Sequence, residues 1–273
     1  HRRDIDRADT DVKMESRLRT RLNALVGVFA LAFALRIVAL DDPALRGDEA
    51  HTILGWSQPL PVVLEEMAVV GPHPPLAYLA FNVWLGAVGD SEFAARYLSV
   101  LAGALAAAAV YGIGRRALGP QTGVLAALLW AVNPFQVWHS QDARNYALWA
   151  LLSALAVWLM LRATSRGRAL NWGLYVAVEA AAAYTFYLEL FLLAFQNVYV
   201  LLSHQRDRAV LKRWVIAQVL IALILAPWYL QPRLWAGGYT GTASNLDPGR
   251  VFTWVVPTLI FGETLPPGIL GWL

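Results

Sequence analysis

The chain alternates long apolar blocks with short polar ones, and the apolar blocks are long enough to cross a bilayer. A membrane helix takes about 20 predominantly apolar residues. Such blocks run over Leu22–Leu40, Tyr97–Gly114, Gly119–Val132, Ala147–Leu161, Asn171–Leu188, Leu190–Ser203 and Trp214–Leu230, and a last one begins at Val251. The apolar run from 171 to 203 would reach roughly 50 Å as one helix, against a hydrocarbon core of about 30 Å. It is expected to break at Tyr187-Leu188-Glu189 into two short helices.

Pro75–Gly89 is ambiguous, because every later loop changes sides if it crosses. Lys and Arg gather on the cytoplasmic side of membrane proteins, and this decides the matter. If the segment lies in the outer interface, sixteen basic residues fall inside. Outside are Arg46, Arg96, Arg144, Arg233 and Arg250, with Arg36 in the first helix. If it crosses, the nine loop residues Arg115, Arg116, Arg162, Arg166, Arg168, Arg206, Arg208, Lys212 and Arg213 all move outside. The first arrangement is expected. Residues 1–21 then form a charged cytoplasmic tail, 22–40 the first span, and 41–96 an extracytoplasmic loop with partly embedded amphipathic helices. Residues 97–273 form a transmembrane bundle of about seven further spans, the last incomplete.

Composition agrees with this all-α, polytopic membrane architecture. Of 273 residues, 58% are hydrophobic and 15% charged, and mean hydropathy is +0.48. Soluble domains carry about 25% charged residues. These values exclude a disordered chain and argue against a soluble enzyme; the absence of cysteine excludes a disulfide scaffold. No signal peptide opens the chain, which starts at His1 and stops at Leu273 inside an apolar block. A fragment of a longer protein is expected. Nothing points to nucleic acid, since membrane lipids and orientation account for the basic loops.

Polar chemistry converges on the outer loops. Gly47-Asp48-Glu49-Ala50-His51 follows the first span directly. Asp48 reads as an N-cap for a helix through Trp56, or as a base held at a membrane boundary. In Gly71-Pro72-His73-Pro74-Pro75 the prolines present one imidazole on a stiff backbone, or simply separate two helices. Arg96 sits at the outer mouth of the second span, where a guanidinium snorkels or holds a lipid phosphate bidentately. The stretch Asn133–Tyr146 brings His139, Asp142, Arg144 and Tyr146 to the same side and is unusually polar for a connector. Glu179 lies mid-span, where an acid normally faces a cavity or a partner. Glu189, at the outer end, is expected on the face that carries Asp48.

Taken in order, these segments resemble the GT-C lipid-linked glycosyltransferases. The likeness rests on Arg36, then Asp48-Glu49-Ala50, then His73-Pro74-Pro75-Leu76 with Trp84. It continues through Gly89–Phe93 to Arg96, Tyr111 to Arg115-Arg116, and Pro134 to Gln141-Asp142-Ala143-Arg144-Asn145-Tyr146. It covers about residues 22–200 and is strongest toward the bacterial group similar to protein O-mannosyltransferases and the lipid A aminoarabinose transferase. The resemblance implies an integral inner-membrane enzyme with its active face outside. It would move a sugar, with inversion, from a polyprenyl-phosphate lipid to an acceptor. Asp48 would be the general base beside Glu49; Arg96 and Arg144 would hold the departing phosphate; His73, Asp142, Tyr146 and Glu189 would line the pocket. Some relatives bind a divalent metal and others do not, so no metal is assigned. Two departures stand out: members run to roughly twice this length, and Phe186 replaces the His that often follows the equivalent of Tyr184-Thr185. The competing readings are a non-catalytic GT-C-derived subunit of a larger complex and, more weakly, a transporter. Only Glu179 supports the transporter.

Overall fold

The computed structural model describes residues 2–42, 44–68, 74–231 and 255–262, and all of its regular structure is helical. Helix α1 (Arg2–Ile37) leads into three short helices, α2 (Gly47–Trp56), α3 (Leu60–Ala68) and α4 (Pro75–Val88). Then follow α5 (Glu92–Leu118), α6 (Pro120–Val132), α7 (Pro134–Ser140) and α8 (Tyr146–Arg166). The chain continues through α9 (Ala169–Ala183), α10 (Glu189–Ser203) and α11 (Arg208–Tyr229), and α12 (Val256–Phe261) is the last described. Among the described residues, α5, α8 and α11 are long and apolar enough to cross a membrane on their own. The apolar parts of α1, α4, α6 and α10 are shorter.

The apolar run from 171 to 203 breaks after Ala183 and resumes at Glu189. The helices alternate between two ends of one bundle. At one end the tips of α1, α5, α8 and α9 meet the short helices. At the other, Arg116 Nε donates to the Leu161 carbonyl (2.8 Å) and Arg213 Nη1 to that of Gly167 (2.7 Å). Both ends of α4 stay at the first end: the Leu76 N–H donates to the Tyr184 carbonyl and Trp84 Nε1 to that of Ala94. It does not cross the bundle.

Three apolar clusters hold the elements. Ile53, Trp56, Val63, Tyr78, Phe81 and Ala95 seat α2, α3 and α4 on the start of α5. Val28, Ala32, Ala104, Ala107, Ala127 and Ala131 join α1, α5 and α6. Tyr175, Trp214, Met160, Val200 and Ile221 join α8 to α11. The buried centre of the second cluster is mostly alanine, with Tyr111 the large exception and Phe29, Phe33 and Trp130 packed around it. In lipid there is no hydrophobic drive between helices, so close backbone approach and dispersion contacts carry the packing.

One polar knot completes that seam. Arg36 is fully buried in α1 and donates to Ser140 Oγ (3.0 Å) and to the carbonyls of Ala32, Ala131 and Trp130. The last two are C-terminal carbonyls of α6, where a cation also meets the negative helix end. Gln141 Nε2 returns the arrangement, donating to the carbonyls of Arg36 and Val38 at the end of α1. Gly103 on α5 leaves the space this knot fills: a Cβ there would lie 2.0 Å from Ser140 Oγ and 2.9 Å from Arg36 Nε. Gly103→Ala is therefore expected to cost about 1–3 kcal/mol by overpacking. Gly27→Ala, with nothing within 4 Å of the new methyl, should be neutral or slightly stabilising. Thermal unfolding of both variants in detergent checks the contrast.

Candidate functional site

The polar loops meet at the end of the bundle where α1 stops. Ala39, at φ +55°, makes a left-handed turn just beyond α1. The next carbonyl, that of Leu40, accepts from Arg96 Nη1 at 2.8 Å. Arg96 also makes a fork to Glu49: Nε to Oε1 at 2.8 Å and Nη2 to Oε2 at 2.9 Å. Both side chains are 1% exposed. Glu49 accepts two further bonds, from the backbone N–H of Ala143 (3.0 Å) and of Arg46 (3.2 Å). These donors hold its carboxyl below the usual carboxylate range against the opposing effect of burial. One carboxylate thereby fastens α2, α5, the end of α1 and the α7–α8 loop.

This corrects two expectations from the sequence. Asp48 is not the N-cap of α2. The helix begins at Gly47, and its free first N–H group, that of Arg46, is satisfied by Glu49 three residues on. The Arg96 guanidinium does not face the headgroups; it is buried and bound to Glu49 and Leu40. Asp48 itself is exposed, and no described residue holds its carboxylate. Its carbonyl accepts from Thr52 Oγ1 (3.2 Å) and Arg144 Nη1 (3.3 Å), so the backbone beneath the side chain is fixed.

A second group sits beside Asp48. Arg46, with 44% of its side chain exposed, pairs with buried Asp142 (Nη2 to Oδ2, 2.7 Å) and lies 4.6 Å over the Trp138 ring. Burial pushes Asp142 up to about 6, with Arg46 opposing. Burial, aided by Arg46, pushes His139 down to about 4, so its ring is neutral at pH 7. His139 packs on Phe135, Trp138 and Tyr146, and Phe186 bridges Tyr146 to Trp149. Asn145 Nδ2 donates to the Thr185 carbonyl (3.1 Å), bringing the α9–α10 turn into the same assembly.

Residues 72–230, more than half of the chain, match the family of dolichyl-phosphate-mannose-protein mannosyltransferases. The chain belongs to that family. No protein of curated function matches it. The family makes it a membrane glycosyltransferase of GT-C type. The match begins after Asp48 and Glu49 and does not include them.

Within this family member the structure gathers Asp48, Glu49, Arg96, Asp142 and Arg144, with Tyr146 reached through His139. Glu189 lies elsewhere. It is buried in the bundle, accepting from Trp149 Nε1 (2.6 Å) and from Ser153 Oγ, with its carboxyl against that of Glu179. Glu179 in turn accepts from Gln196 Nε2 at 2.8 Å. Glu189 starts α10, and its side chain points into the bundle against α8. His73 lies outside the described residues. Among the described residues no three His, Asp or Glu side chains converge as metal ligands. Arg46 and Trp138 are the residues the sequence reading did not place in the site. The signal available for Arg46 was its place two residues before Asp48.

Two predictions follow from burial and charge. Glu49→Leu strands the Arg96 cation and should cost about 3–5 kcal/mol. Joining it to Arg96→Leu should recover much of that loss in thermal unfolding. The second concerns pH. The folded state takes up the Asp142 proton readily, so stability rises as pH falls from about 6 toward 3.8. Folding keeps protons off His139, so stability drops as pH falls from 6.5 through about 4. The windows overlap with opposite signs, each worth at most about 3 kcal/mol. Asp142→Asn should steepen acid destabilisation between pH 6.5 and 4, and His139→Phe should flatten or reverse it.

Proposed function

We propose that this glycosyltransferase moves a sugar from a polyprenyl-phosphate lipid to an acceptor hydroxyl, with inversion, using Asp48 as the general base. The observation that carries this reading is the division of labour between adjacent carboxylates. Glu49 has both oxygens filled by Arg96, Ala143 and Arg46, so it cannot accept a proton without breaking the loop assembly. Asp48 is exposed, and its backbone is held by Thr52 and Arg144. A single free carboxylate suits a single displacement. The acceptor oxygen bonds to the anomeric carbon, the bond from that carbon to the phosphate oxygen breaks, and the hydroxyl proton passes to Asp48.

The leaving phosphate gains charge as that bond breaks, so a nearby cation stabilises the transition state more than the ground state. Arg46 is the group for this task. It is the exposed guanidinium beside Asp48, whereas Arg96 is enclosed and Arg144 supports the Asp48 backbone. The distribution of charge supports an extracytoplasmic active face. Arg115, Arg116, Arg162 and Arg213 lie at the end of the bundle remote from Asp48, and basic residues favour the cytoplasmic side.

Transfer assays with the full-length protein in proteoliposomes and radiolabelled polyprenyl-phosphate sugars test the reading. Asp48→Asn should lower turnover by about 10²–10⁴-fold while donor binding persists. Arg46→Gln should raise the KM for donor and lower kcat, and Arg46→Lys, which keeps a cation beside Asp142, should lose less. Full activity in Asp48→Asn overturns the base assignment. A wild-type protein that transfers nothing from any such donor, yet co-purifies in a stable complex, is instead a non-catalytic subunit.

A further inference from the structure

Inside the bundle, apart from Asp48, a chain of side-chain hydrogen bonds runs from α11 to α8, and its ends fix its direction. The Trp214 indole is a donor only and bonds to Asn197 Oδ1 (2.9 Å), so the Asn197 amide nitrogen is the group that donates to Gln218 Oε1 (3.2 Å). Gln218 Nε2 donates in turn to the Tyr175 hydroxyl (3.3 Å). Tyr175 then donates to Gln196 Oε1 (2.9 Å), and Gln196 Nε2 to Glu179 Oε2 (2.8 Å). From the opposite side Trp149 Nε1 (2.6 Å) and Ser153 Oγ donate to Glu189 Oε2. One oxygen of each carboxyl is thereby engaged as an acceptor.

The carboxyls of Glu179 and Glu189 lie against each other, and both residues are fully buried. The second oxygen of each, Oε1, receives no N–H or O–H from the described residues. Two carboxylates in contact would repel without the water that screens them at a surface, and neither could donate to the other. A single proton removes both difficulties, because it turns one carboxyl into a donor for the other. The donors already present indicate which one carries it. Glu189 Oε2 takes two of them, which suits the charged partner, whereas Glu179 Oε2 takes one, from Gln196.

We propose that Glu179 and Glu189 form a proton-binding site, a carboxyl–carboxylate pair in which Glu179 donates its proton in a hydrogen bond to Glu189 and so clasps α10 to α9. Glu189, Gln196 and Val200 are the buried residues of α10, so two of its three anchors belong to this network. Trp149 and Ser153 on α8 and Gln196 on α10 do not titrate. Tyr175 on α9 and Tyr229 on α11 also feel the charge of the pair, and as phenols they stay neutral at pH 8. The site is separate from the transfer chemistry and does not depend on the Asp48 reading.

Infrared spectroscopy of the purified full chain at pH 8 tests the proton directly. The wild type should show the carbonyl band of an un-ionised carboxyl. Asp142→Asn should keep it, and Glu179→Gln, whose amide can donate to Glu189 in place of the proton, should lose it. A wild type without the band, or a band that survives in Glu179→Gln or vanishes in Asp142→Asn, overturns the assignment. Equilibrium unfolding in mixed micelles tests the clasp. The folded pair keeps a proton that the unfolded chain has released, so stability falls as pH rises. From pH 7 to 8 the wild-type unfolding constant should therefore rise about tenfold more than that of Glu179→Gln. Equal pH dependence in the two proteins overturns the clasp.

Discussion

The buried fork between Glu49 and Arg96 is the interaction on which the Asp48 end of this molecule depends. Each ion alone would be costly in a low-dielectric setting, and together they are tolerable only because nearly every remaining hydrogen-bonding position is filled. Those extra bonds do the organising. The Leu40 carbonyl brings in the end of α1, the Ala143 N–H the loop before α8, and the Arg46 N–H the start of α2. The end of α1, the start of α2, α5 and the loop before α8 are thereby tied together around Glu49, the residue next to Asp48. These bonds are made within the chain, so on the proposed reading a donor lipid would meet charges the fold already holds in place. Such preorganisation is what electrostatic catalysis requires, since dipoles and charges already in place need no rearrangement during the reaction.

The fold was legible in the sequence where the bilayer constrains it. Apolar blocks gave α5, α6, α8 and α11, and the excessive length of residues 171–203 gave the break between α9 and α10. Much of the outer cluster was legible too, because charged residues between apolar helices have few places to go. The roles within it were not. Whether Glu49 or Asp48 is the tethered acid depends on which side chain points at α5, and adjacent residues in a helix differ by about 100° in direction. Glu189 shows the same limit: its place at the start of α10 was readable, the inward direction of its side chain was not. Arg46 escaped notice because the Trp138 ring beneath it comes from a helix some ninety positions later.

The two ends of the bundle use arginine in opposite ways. At the Asp48 end the cations are matched one by one: Arg96 with Glu49, Arg46 with Asp142, and Arg144 with the Asp48 backbone. At the other end Arg116 and Arg213 bond to neutral groups, the carbonyls of Leu161 and Gly167, and so clasp one helix end to another. Ion pairs fix the geometry of the Asp48 end, and arginine-to-carbonyl bonds fix the helix ends opposite. The two lie at either end of a bundle whose α1–α5–α6 seam is rich in buried alanine.

Arg36 has a consequence for how the molecule is made. Its acceptors on α6 and at Ser140 are synthesised about a hundred residues after it. At roughly 5–20 residues per second, α1 must wait several seconds for them. Until then this arginine near the end of α1 has only its own helix carbonyl and water to bond, and placing it in the hydrocarbon would cost about 2.5–3.5 kcal/mol at the bilayer centre, less toward the interface. Early on, α1 would therefore favour a position that keeps Arg36 in water until α6 arrives. Its final depth is set late in biogenesis, by a partner helix rather than by its own hydrophobicity.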